Sequence, residues 1–247
     1  MNVEGRRVLV TGGGSGAGAD LAIGFARAGA AKVVICGRRP AALADVAARH
    51  PAIRALPCDV TDEASVQGLF AQAGKVEIVI ANAGQADSAP FARTTLAQWN
   101  AMLAVNLTGV FLTFREGLRQ FDGWGRLIAV SSTAGLKGYA KVAPYAAAKH
   151  GVMGIVRSLA LEVARGPVTV NAICPGFLDT EMTEHSVKVI SEKTGRTLAE
   201  ARAALEAMSP QNRLYRPDEV TSAALWLCSA GSEGVNGQGI SISGGEA

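Results

Sequence analysis

The sequence has little of what marks nucleic-acid-binding, membrane or exported proteins. Its formal net charge is only +3 over 247 residues, and no run of lysine and arginine is longer than a pair. We therefore expect no nucleic-acid partner. No apolar run approaches the roughly 20 residues that a membrane span needs, so we expect no membrane association. Residues 1–7 are polar and do not have the pattern of a signal peptide.

Cysteine and histidine are also scarce and scattered. The chain has four cysteines and three histidines, no Cys-x-x-Cys pair occurs, and the histidines do not fall near the cysteines at metal-ligand spacing. This distribution favours reduced thiols and no metal site. We therefore expect a soluble protein of the cytoplasm.

The chain does contain a regular alternation of short apolar runs and helical patterns. No linker or charge block divides it, so we expect a single domain over residues 1–247. The predicted strands cover residues 8–10, 33–35, 52–56, 76–81, 126–131, 168–174 and 239–243. The predicted helices cover residues 20–28, 65–73, 95–120, 144–164 and 217–228. The alternation predicts an α/β Rossmann fold, a doubly wound seven-stranded parallel sheet with helices on both faces.

A glycine-rich run, residues 11–18, lies between the first strand and the first helix and reads Thr-Gly-Gly-Gly-Ser-Gly-Ala-Gly. Glycines at such a junction allow a sharp turn and let backbone N–H groups approach a pyrophosphate at the start of a helix. Turns and linkers are also rich in glycine, but the position between strand and helix favours a dinucleotide-binding loop.

One stretch, residues 180–210, departs from the alternation because it is polar and helical throughout. Thr194-Gly195-Arg196 predicts a break, and Thr197 with Glu200 predicts a capping box for a second helix. Leu198, Ala201, Leu205 and Met208 would line one face of that helix. Since the pair follows the sixth strand at the ligand end of the sheet, we interpret it as a lid over the substrate. A packing insertion with a solvated face is the alternative.

Tyr145 and Lys149 are spaced to share one face of a helix. A phenol with an ordinary pKa near 10 is a poor acid or base at neutral pH, and a nearby ammonium favours its ionised form. An isolated pair of this kind is usually structural. Here, however, Ser131 and Ser132 precede Tyr145 by fourteen and thirteen residues, and Asn106 lies in the helical region before them.

Together these residues resemble the short-chain dehydrogenase/reductase family, and the resemblance runs from about residue 4 to residue 247. Six motifs occur in the family order: the Thr-Gly-x-x-x-Gly-x-Gly loop, Asn82-Ala83-Gly84, the helix with Asn106, the serine-bearing strand, Tyr145-x-x-x-Lys149 and Pro175-Gly176. The family implies an oxidoreductase that interconverts a ketone and a secondary alcohol by hydride transfer.

The resemblance also assigns roles in catalysis. Tyr145 would donate a proton to the carbonyl oxygen, and Ser132, whose spacing fits the family better than that of Ser131, would hydrogen-bond that oxygen. Lys149 would bind the nicotinamide ribose and tune Tyr145, while Asn106 would anchor a water that links Lys149 to solvent. Hydride would come from the cofactor, so the protein supplies orientation and electrostatics.

The same resemblance implies a set of cofactor contacts. Asp59 resembles the residue that hydrogen-bonds adenine, with a turn aspartate as the alternative, and Thr180 matches a contact to the nicotinamide carboxamide or a simple helix cap. The full cofactor set comprises Gly12, Ser15, Gly16, Gly18, Arg38, Arg39, Asp59, Val60, Asn82, Gly84, Tyr145, Lys149, Pro175, Gly176 and Thr180.

The end of the second strand predicts which dinucleotide is preferred. NAD-binding relatives carry a carboxylate there for the ribose 2′-hydroxyl, whereas this chain has Gly37 followed by Arg38 and Arg39. A guanidinium meets a 2′-phosphate in a charge-assisted geometry. We therefore expect NADP(H) to be preferred over NAD(H), although Ser15 stands where many NADP-preferring relatives carry a second base. Solvated arginines at a helix entry are the alternative.

Three functions remain open for this machinery. The overall resemblance favours a reductase of 3-oxoacyl thioesters, carried on coenzyme A or acyl carrier protein. A dehydrogenase or ketoreductase for another small-molecule alcohol or ketone, such as a sugar, cyclic alcohol, steroid or xenobiotic, would use the same residues. A dinucleotide-binding regulator without turnover has no need of Tyr145.

The helices at 95–120 and 144–164 are apolar on several faces, and the family pairs them across a two-fold axis. We therefore expect a homotetramer.

Overall fold

The computed structural model describes residues 3–247 and contains one seven-stranded parallel sheet. Its strand order is β3-β2-β1-β4-β5-β6-β7, so the chain builds the sheet outward from β1 to β3 on one side and from β4 to β7 on the other. The strands are β1 (Arg7–Thr11), β2 (Lys32–Gly37), β3 (Ile53–Pro57), β4 (Ile78–Ala81), β5 (Gly125–Val130), β6 (Val168–Pro175) and β7 (Gly239–Ile242). The predicted fold class is therefore confirmed.

Both faces of the sheet are buried, as a doubly wound fold requires. Val8 and Val10 of β1 belong to one core cluster, whereas the intervening Leu9 belongs to the cluster on the opposite face. The alternation follows from the two-residue period of a strand. β1 pairs with β2 through Val10 and Ile35 and with β4 through Val10 and Ile80. The crevice beyond the carboxyl ends of β1 and β4 is where such folds bind ligands.

Nine α-helices connect or cover the strands within the described residues. They are α1 (Gly16–Arg27), α2 (Pro40–Ala47), α3 (Glu63–Ala73), α4 (Leu96–Leu103), α5 (Gly109–Gln120), α6 (Ala143–Val163), α7 (Glu181–Thr194), α8 (Leu198–Glu206) and α9 (Pro217–Leu227). None of the helices in residues 3–247 is both long and apolar enough to cross a membrane.

Two helices differ from the sequence prediction at the amino end of the chain. α1 begins at Gly16 instead of residue 20, because the last glycines of the loop already form its first turn. α2 was not predicted. It is only eight residues long and buries just Leu43 and Val46, so its apolar pattern is too short to show a helical period.

The predicted helix at 95–120 is interrupted at its centre. α4 and α5 are joined by a π-helical turn, Ala104–Thr108, which contains the buried Asn106. A π turn adds one residue to a helical turn, and such turns are frequent at functional sites. The spacing of apolar residues across this π turn resembles that of an α-helix, which explains why the sequence indicated one long helix.

The 180–210 segment forms the two predicted helices, α7 and α8. The capping box of Thr197 and Glu200 is present, and Gly195 ends α7 with φ at +71°. Ala201 and Leu205 are buried in a small separate core cluster. Leu198 and Met208, however, are largely exposed, so the predicted apolar face is buried only at its centre.

Candidate active site

A hydrogen-bond network joins the glycine loop to the end of β4. The Thr11 hydroxyl accepts from the backbone N–H groups of Asn82 and Ala83 at 3.0 Å each. In return, the Asn82 side-chain amide donates to the carbonyls of Thr11 (3.0 Å) and Gly12 (3.3 Å). Asn82 therefore links the carboxyl ends of β1 and β4, and its contact with a cofactor stays a prediction.

The loop is packed too closely for side chains at its key glycines. A Cβ at Gly18 would lie 2.2 Å from the Gly12 carbonyl oxygen and 2.5 Å from the Asn82 amide nitrogen. Gly12 and Gly16 have φ of +67° and +52°, a region that favours glycine. The start of α1 thus turns sharply against the loop and leaves its N–H groups facing the crevice, which suits a pyrophosphate.

The two predicted cofactor arginines flank the entrance to this crevice. Arg38 and Arg39 follow Gly37 at the end of β2 and are both exposed. Arg39 donates to the Ser15 hydroxyl at 2.9 Å and lies 4.0 Å from the Glu181 carboxylate. Arg38 lies on the other side, close enough to help lower the pKa of Asp59. Two exposed guanidinium groups therefore follow the end of β2, one of them hydrogen-bonded to the glycine loop.

One carboxylate oxygen of Asp59 is already hydrogen-bonded within its own turn. Its Oδ1 accepts from the backbone N–H and the hydroxyl of Thr61, at 2.9 and 2.8 Å. These two bonds are the main reason that the pKa of Asp59 is lowered. This geometry matches the turn-aspartate alternative and leaves adenine binding a prediction. The neighbouring Val60 is buried, and a Cβ at Gly109 of α5 would contact it at 2.9 Å.

The structure distinguishes the two adjacent serines at the end of β5. Ser131 is buried, and its hydroxyl donates to the Lys149 backbone carbonyl at 3.4 Å. Ser132 is partly exposed, accepts from the Ala134 N–H at 3.1 Å and hydrogen-bonds the Tyr145 side chain. Successive side chains of a strand point to opposite faces. Of the two serines, Ser132 is therefore the one that faces the phenol, and its contact with a substrate oxygen stays a prediction.

Tyr145 and Lys149 lie together on the first half of α6. The Lys149 ammonium is 5.6 Å from the centre of the Tyr145 ring and donates to the Val130 carbonyl at 2.9 Å. Burial lowers the pKa of Lys149 to about 8. Burial also raises the pKa of Tyr145, which the hydrogen bond with Ser132 partly opposes. The expected lowering of the phenol pKa is therefore wrong for this arrangement, because desolvation outweighs any effect of the ammonium.

Asn106 lies in the π turn and is held by backbone groups from outside that turn. Its amide nitrogen donates to the carbonyls of Gln85 (2.9 Å) and Met102 (3.1 Å), and its Oδ1 accepts from the Gln85 N–H at 3.3 Å. A π turn replaces the bond to the fourth preceding carbonyl, which here belongs to Met102. Gly84 packs directly against this amide. Asn106 and Lys149 bind different backbone carbonyls, and a water between them remains a prediction.

The end of β6 places the last predicted contacts beside the site. β6 ends at Pro175, one residue beyond the predicted end, and the Gly176 N–H donates to the Ile242 carbonyl of β7 at 3.0 Å. Thr180 takes the N-cap position of α7 without a side-chain capping bond. A Cβ at Gly16 would lie 3.3 Å from the Thr180 methyl, so the start of the 180–210 segment contacts the glycine loop.

Three backbone or hydroxyl groups support this site and were not predicted. The Thr11 hydroxyl binds Asn82, and the Val130 carbonyl binds Lys149. The backbone of Gln85 binds Asn106. The position of Thr11 within the glycine motif was a usable signal. A backbone carbonyl has no side-chain signature, so the other two had none.

The arrangement brings a serine hydroxyl, a phenol and a buried ammonium together at the carboxyl edge of the sheet, next to a glycine loop suited to a pyrophosphate. A fold and site of this kind define an NAD(P)-dependent oxidoreductase. The sequence profile described as short chain dehydrogenase matches residues 6–190. The chain belongs to that family.

Individual relatives agree over nearly the whole chain. D-beta-hydroxybutyrate dehydrogenase from Cupriavidus necator is 35% identical, with 98% of each chain covered. The 3-oxoacyl-(acyl-carrier-protein) reductase of Aquifex aeolicus is 32% identical, with 99% of this chain and 98% of the relative covered. The structure of an actinorhodin polyketide ketoreductase variant with NADPH superposes with a TM-score of 0.92 at 30% identity, covering 100% of this chain and 98% of that one.

Proposed function

We propose that this enzyme reduces 3-oxoacyl thioesters, carried on coenzyme A or acyl carrier protein, with NADPH as the preferred reductant. The observation that carries the cofactor choice is the pair of arginines beyond β2. Arg39 is held over Ser15 at the glycine loop, Arg38 lies near Asp59, and Gly37 precedes them. A 2′-phosphate would meet two guanidinium groups there.

The residues of the chain then divide the catalytic work. NADPH supplies the hydride when bound. Tyr145 donates its phenolic proton to the oxygen that the reduction makes basic, and Ser132 donates a hydrogen bond to the same oxygen. Lys149 places a positive charge beside the phenol, and Asn106 holds the adjoining segment in register through Gln85.

The raised pKa of Tyr145 suits this direction of the reaction. A phenol whose pKa lies above its usual value stays protonated at neutral pH, so it is ready to act as an acid. The opposite reaction, alcohol oxidation, needs the phenolate and is expected to improve with rising pH. The raised pKa of Tyr145 is therefore compatible with a role as the proton donor in carbonyl reduction.

Apolar side chains on the 180–210 segment support a substrate with an acyl chain. Met182, Leu198 and Met208 are all at least 40% exposed, and exposed apolar groups often mark a binding surface. The segment begins at Thr180, which lies against the glycine loop. The named similarity to a 3-oxoacyl reductase agrees with this choice. We therefore interpret the segment as a lid that covers the acyl group.

Steady-state reduction of acetoacetyl-CoA tests both halves of the proposal. We expect kcat/KM with NADPH to exceed that with NADH at least about tenfold, since a hydrogen bond to a charged group contributes about 1.5 kcal/mol or more. Arg39→Ala should reduce this ratio. A preference for NADH would contradict the cofactor assignment, and no turnover of any 3-oxoacyl thioester would contradict the substrate assignment.

A dehydrogenase for another secondary alcohol is the second candidate. The similarity to D-beta-hydroxybutyrate dehydrogenase favours a free hydroxy acid in particular. A panel of 3-oxo acids, cyclic ketones, sugars and steroids would separate the two, because the catalytic residues are shared and only the pocket differs. A regulator without turnover would instead bind NADPH and reduce none of these compounds.

We also propose a homotetramer in the cytoplasm, organised as a single domain. Leu96 and Phe111 on α4 and α5 and Leu161 on α6 are exposed apolar side chains, with Leu96 and Leu161 at 73% and 80%. These helices would pair across a two-fold axis. The four cysteines are free thiols, which is consistent with a reducing compartment. Light scattering that gave a monomeric mass would contradict the assembly.

A further inference from the structure

A buried carboxylate outside the predicted catalytic set lies beside the site. Glu246 follows β7, yet its side chain is only 6% exposed. Its Oε1 accepts from the Tyr139 hydroxyl at 2.5 Å and pairs with the Lys137 ammonium at 3.1 Å, while Lys137 also donates to the Glu246 backbone carbonyl at 3.2 Å. A carboxylate is taken out of water only where such partners compensate for the loss of hydration.

The Tyr139 hydroxyl links the Glu246 carboxylate to the residue that follows Ser132. It lies 2.6 Å from the hydroxyl of Thr133, the residue after Ser132. Because a carboxylate can only accept, the Tyr139 proton points to Glu246, and the Thr133 hydroxyl donates to Tyr139. Burial and Glu246 together raise the pKa of Tyr139, so this phenol keeps its proton. Glu246, Tyr139 and Thr133 thus form a directed chain of hydrogen bonds.

Glu246 also contacts the opposite wall of the site. Its Oε2 lies 3.4 Å from the position of a Cβ on Gly176, at the turn that ends β6. The carboxylate therefore lies between two segments of the chain. One is the stretch 133–139, which joins Ser132 to the start of α6, and the other is the turn at Pro175 and Gly176.

We propose that Glu246 is a positioning residue for carbonyl reduction: through Tyr139 and Thr133 it holds residues 133–139, and with them Ser132, against the turn at Gly176. This inference rests on the proposed function only in its kinetic consequence. Without the carboxylate, the 133–139 stretch loses its anchor, and the Ser132 hydroxyl loses its fixed direction towards the Tyr145 phenol.

The kinetic test compares Glu246→Ala, Glu246→Gln and Tyr139→Phe, with Glu162→Gln on the exposed face of α6 as the matched control. Glu246→Ala and Tyr139→Phe should lower kcat for acetoacetyl-CoA about tenfold, because a hydrogen bond to a buried charge is lost. The Kd for NADPH should not change. Glu246→Gln keeps an acceptor for Tyr139 and should recover most of kcat.

Hydrogen exchange followed by mass spectrometry tests the positioning without any turnover. In Glu246→Ala, amide exchange in residues 133–139 should accelerate, whereas exchange in residues 11–18 should match the wild type. Thermal melts confirm that each variant is folded. If the wild-type enzyme reduces no carbonyl, the proposed function fails and the exchange result alone decides this inference.

Several results would overturn the inference. One is unchanged exchange in residues 133–139 of Glu246→Ala. A second is a Kd for NADPH that weakens in step with kcat, because the effect would then be general. A third is a loss in Glu246→Gln equal to that in Glu246→Ala, because the hydrogen bond to Tyr139 would then not be the cause.

Discussion

The nucleotide-binding half and the catalytic half of the site are built by different means. Around the glycine loop, the structure requires residues without a side chain, since a Cβ at Gly18 would overlap the Gly12 carbonyl. Around Tyr145, it depends on polar groups placed in low-dielectric surroundings, such as the buried Lys149. The first half depends on shape, and the second on buried charge and hydrogen bonds.

The two halves should therefore tolerate different kinds of substitution. Bulk added to the loop should disturb packing and dinucleotide binding together, because backbone atoms cannot move aside cheaply. Removing a single polar atom from the catalytic half should spare the fold and abolish chemistry, because such groups contribute mainly in the transition state. Four substitutions test this difference between the two halves of the site.

Tyr145→Phe should have the largest effect. The substitution removes the only proposed proton donor, so we expect kcat to fall by about 10³-fold, within the range for general acid catalysis. The measurement is steady-state reduction of acetoacetyl-CoA at saturating NADPH. A variant that retains a tenth of the wild-type rate would show that another group donates the proton.

Ser132→Ala should have the next largest effect, with Ser131→Ala as its matched control. Ser132 hydrogen-bonds Tyr145, whereas Ser131 points to the Lys149 carbonyl. We expect kcat/KM to fall about 10²-fold for the first and less than about threefold for the second. Equal losses in both variants would break the assignment of Ser132.

Gly18→Ala tests the half that depends on shape, with Gly68→Ala in α3 as its control. The new methyl at Gly18 meets backbone oxygen at 2.2 Å, whereas nothing lies within 4 Å of a Cβ at Gly68. We expect the first to lower the free energy of unfolding by about 2 kcal/mol and to weaken NADPH binding. The second should be neutral or stabilising by about 0.5 kcal/mol. Urea titrations check both.

Lys149→Met should change the free energy of unfolding less than Gly18→Ala does, and the change depends on pH. The pKa of Lys149 is lowered from 10.5 to about 8 in the folded protein, so the unfolded chain binds more protons between about pH 8 and 10.5. Wild-type stability attributable to Lys149 therefore rises with pH across that window. At pH 7 the methionine variant should be more stable by about 1 kcal/mol, after the lost bond to Val130 is deducted.

Urea titrations at pH 7 and pH 10 would measure this change. The advantage of Lys149→Met should disappear at pH 10, where the wild-type lysine is neutral in the folded protein. A stability difference that is the same at both pH values would show that the lysine is not held in a desolvated position. Activity should be lost at either pH.

Much of this architecture was predictable because its signals are local. The glycine run, the spacing of Tyr145 and Lys149 and the order of the strands are all linear patterns, and they gave the fold class. Contacts made by backbone atoms leave no such pattern. The Met102 carbonyl that binds Asn106 and the Val130 carbonyl that binds Lys149 became visible only in three dimensions.

Electrostatics were predicted least well. Proximity of Lys149 suggested a lowered pKa for Tyr145, but the extent of desolvation depends on how neighbouring strands enclose both groups, and burial raises the pKa instead. The same holds for Glu246, which looks like a solvated residue in the sequence and is buried against Tyr139 and Lys137. Burial is a tertiary property, so composition and spacing could not indicate it.

The most direct test of the separation between the two halves is a fluorescence titration of Tyr145→Phe with NADPH. The account predicts a Kd within about twofold of the wild type, because the dinucleotide is held by the glycine loop and the arginines after β2. Tyr145 is one of the predicted cofactor contacts, so a small loss is compatible with the account. A Kd weakened tenfold or more would show that the catalytic phenol supplies a major part of the binding free energy, and the proposed division would be wrong.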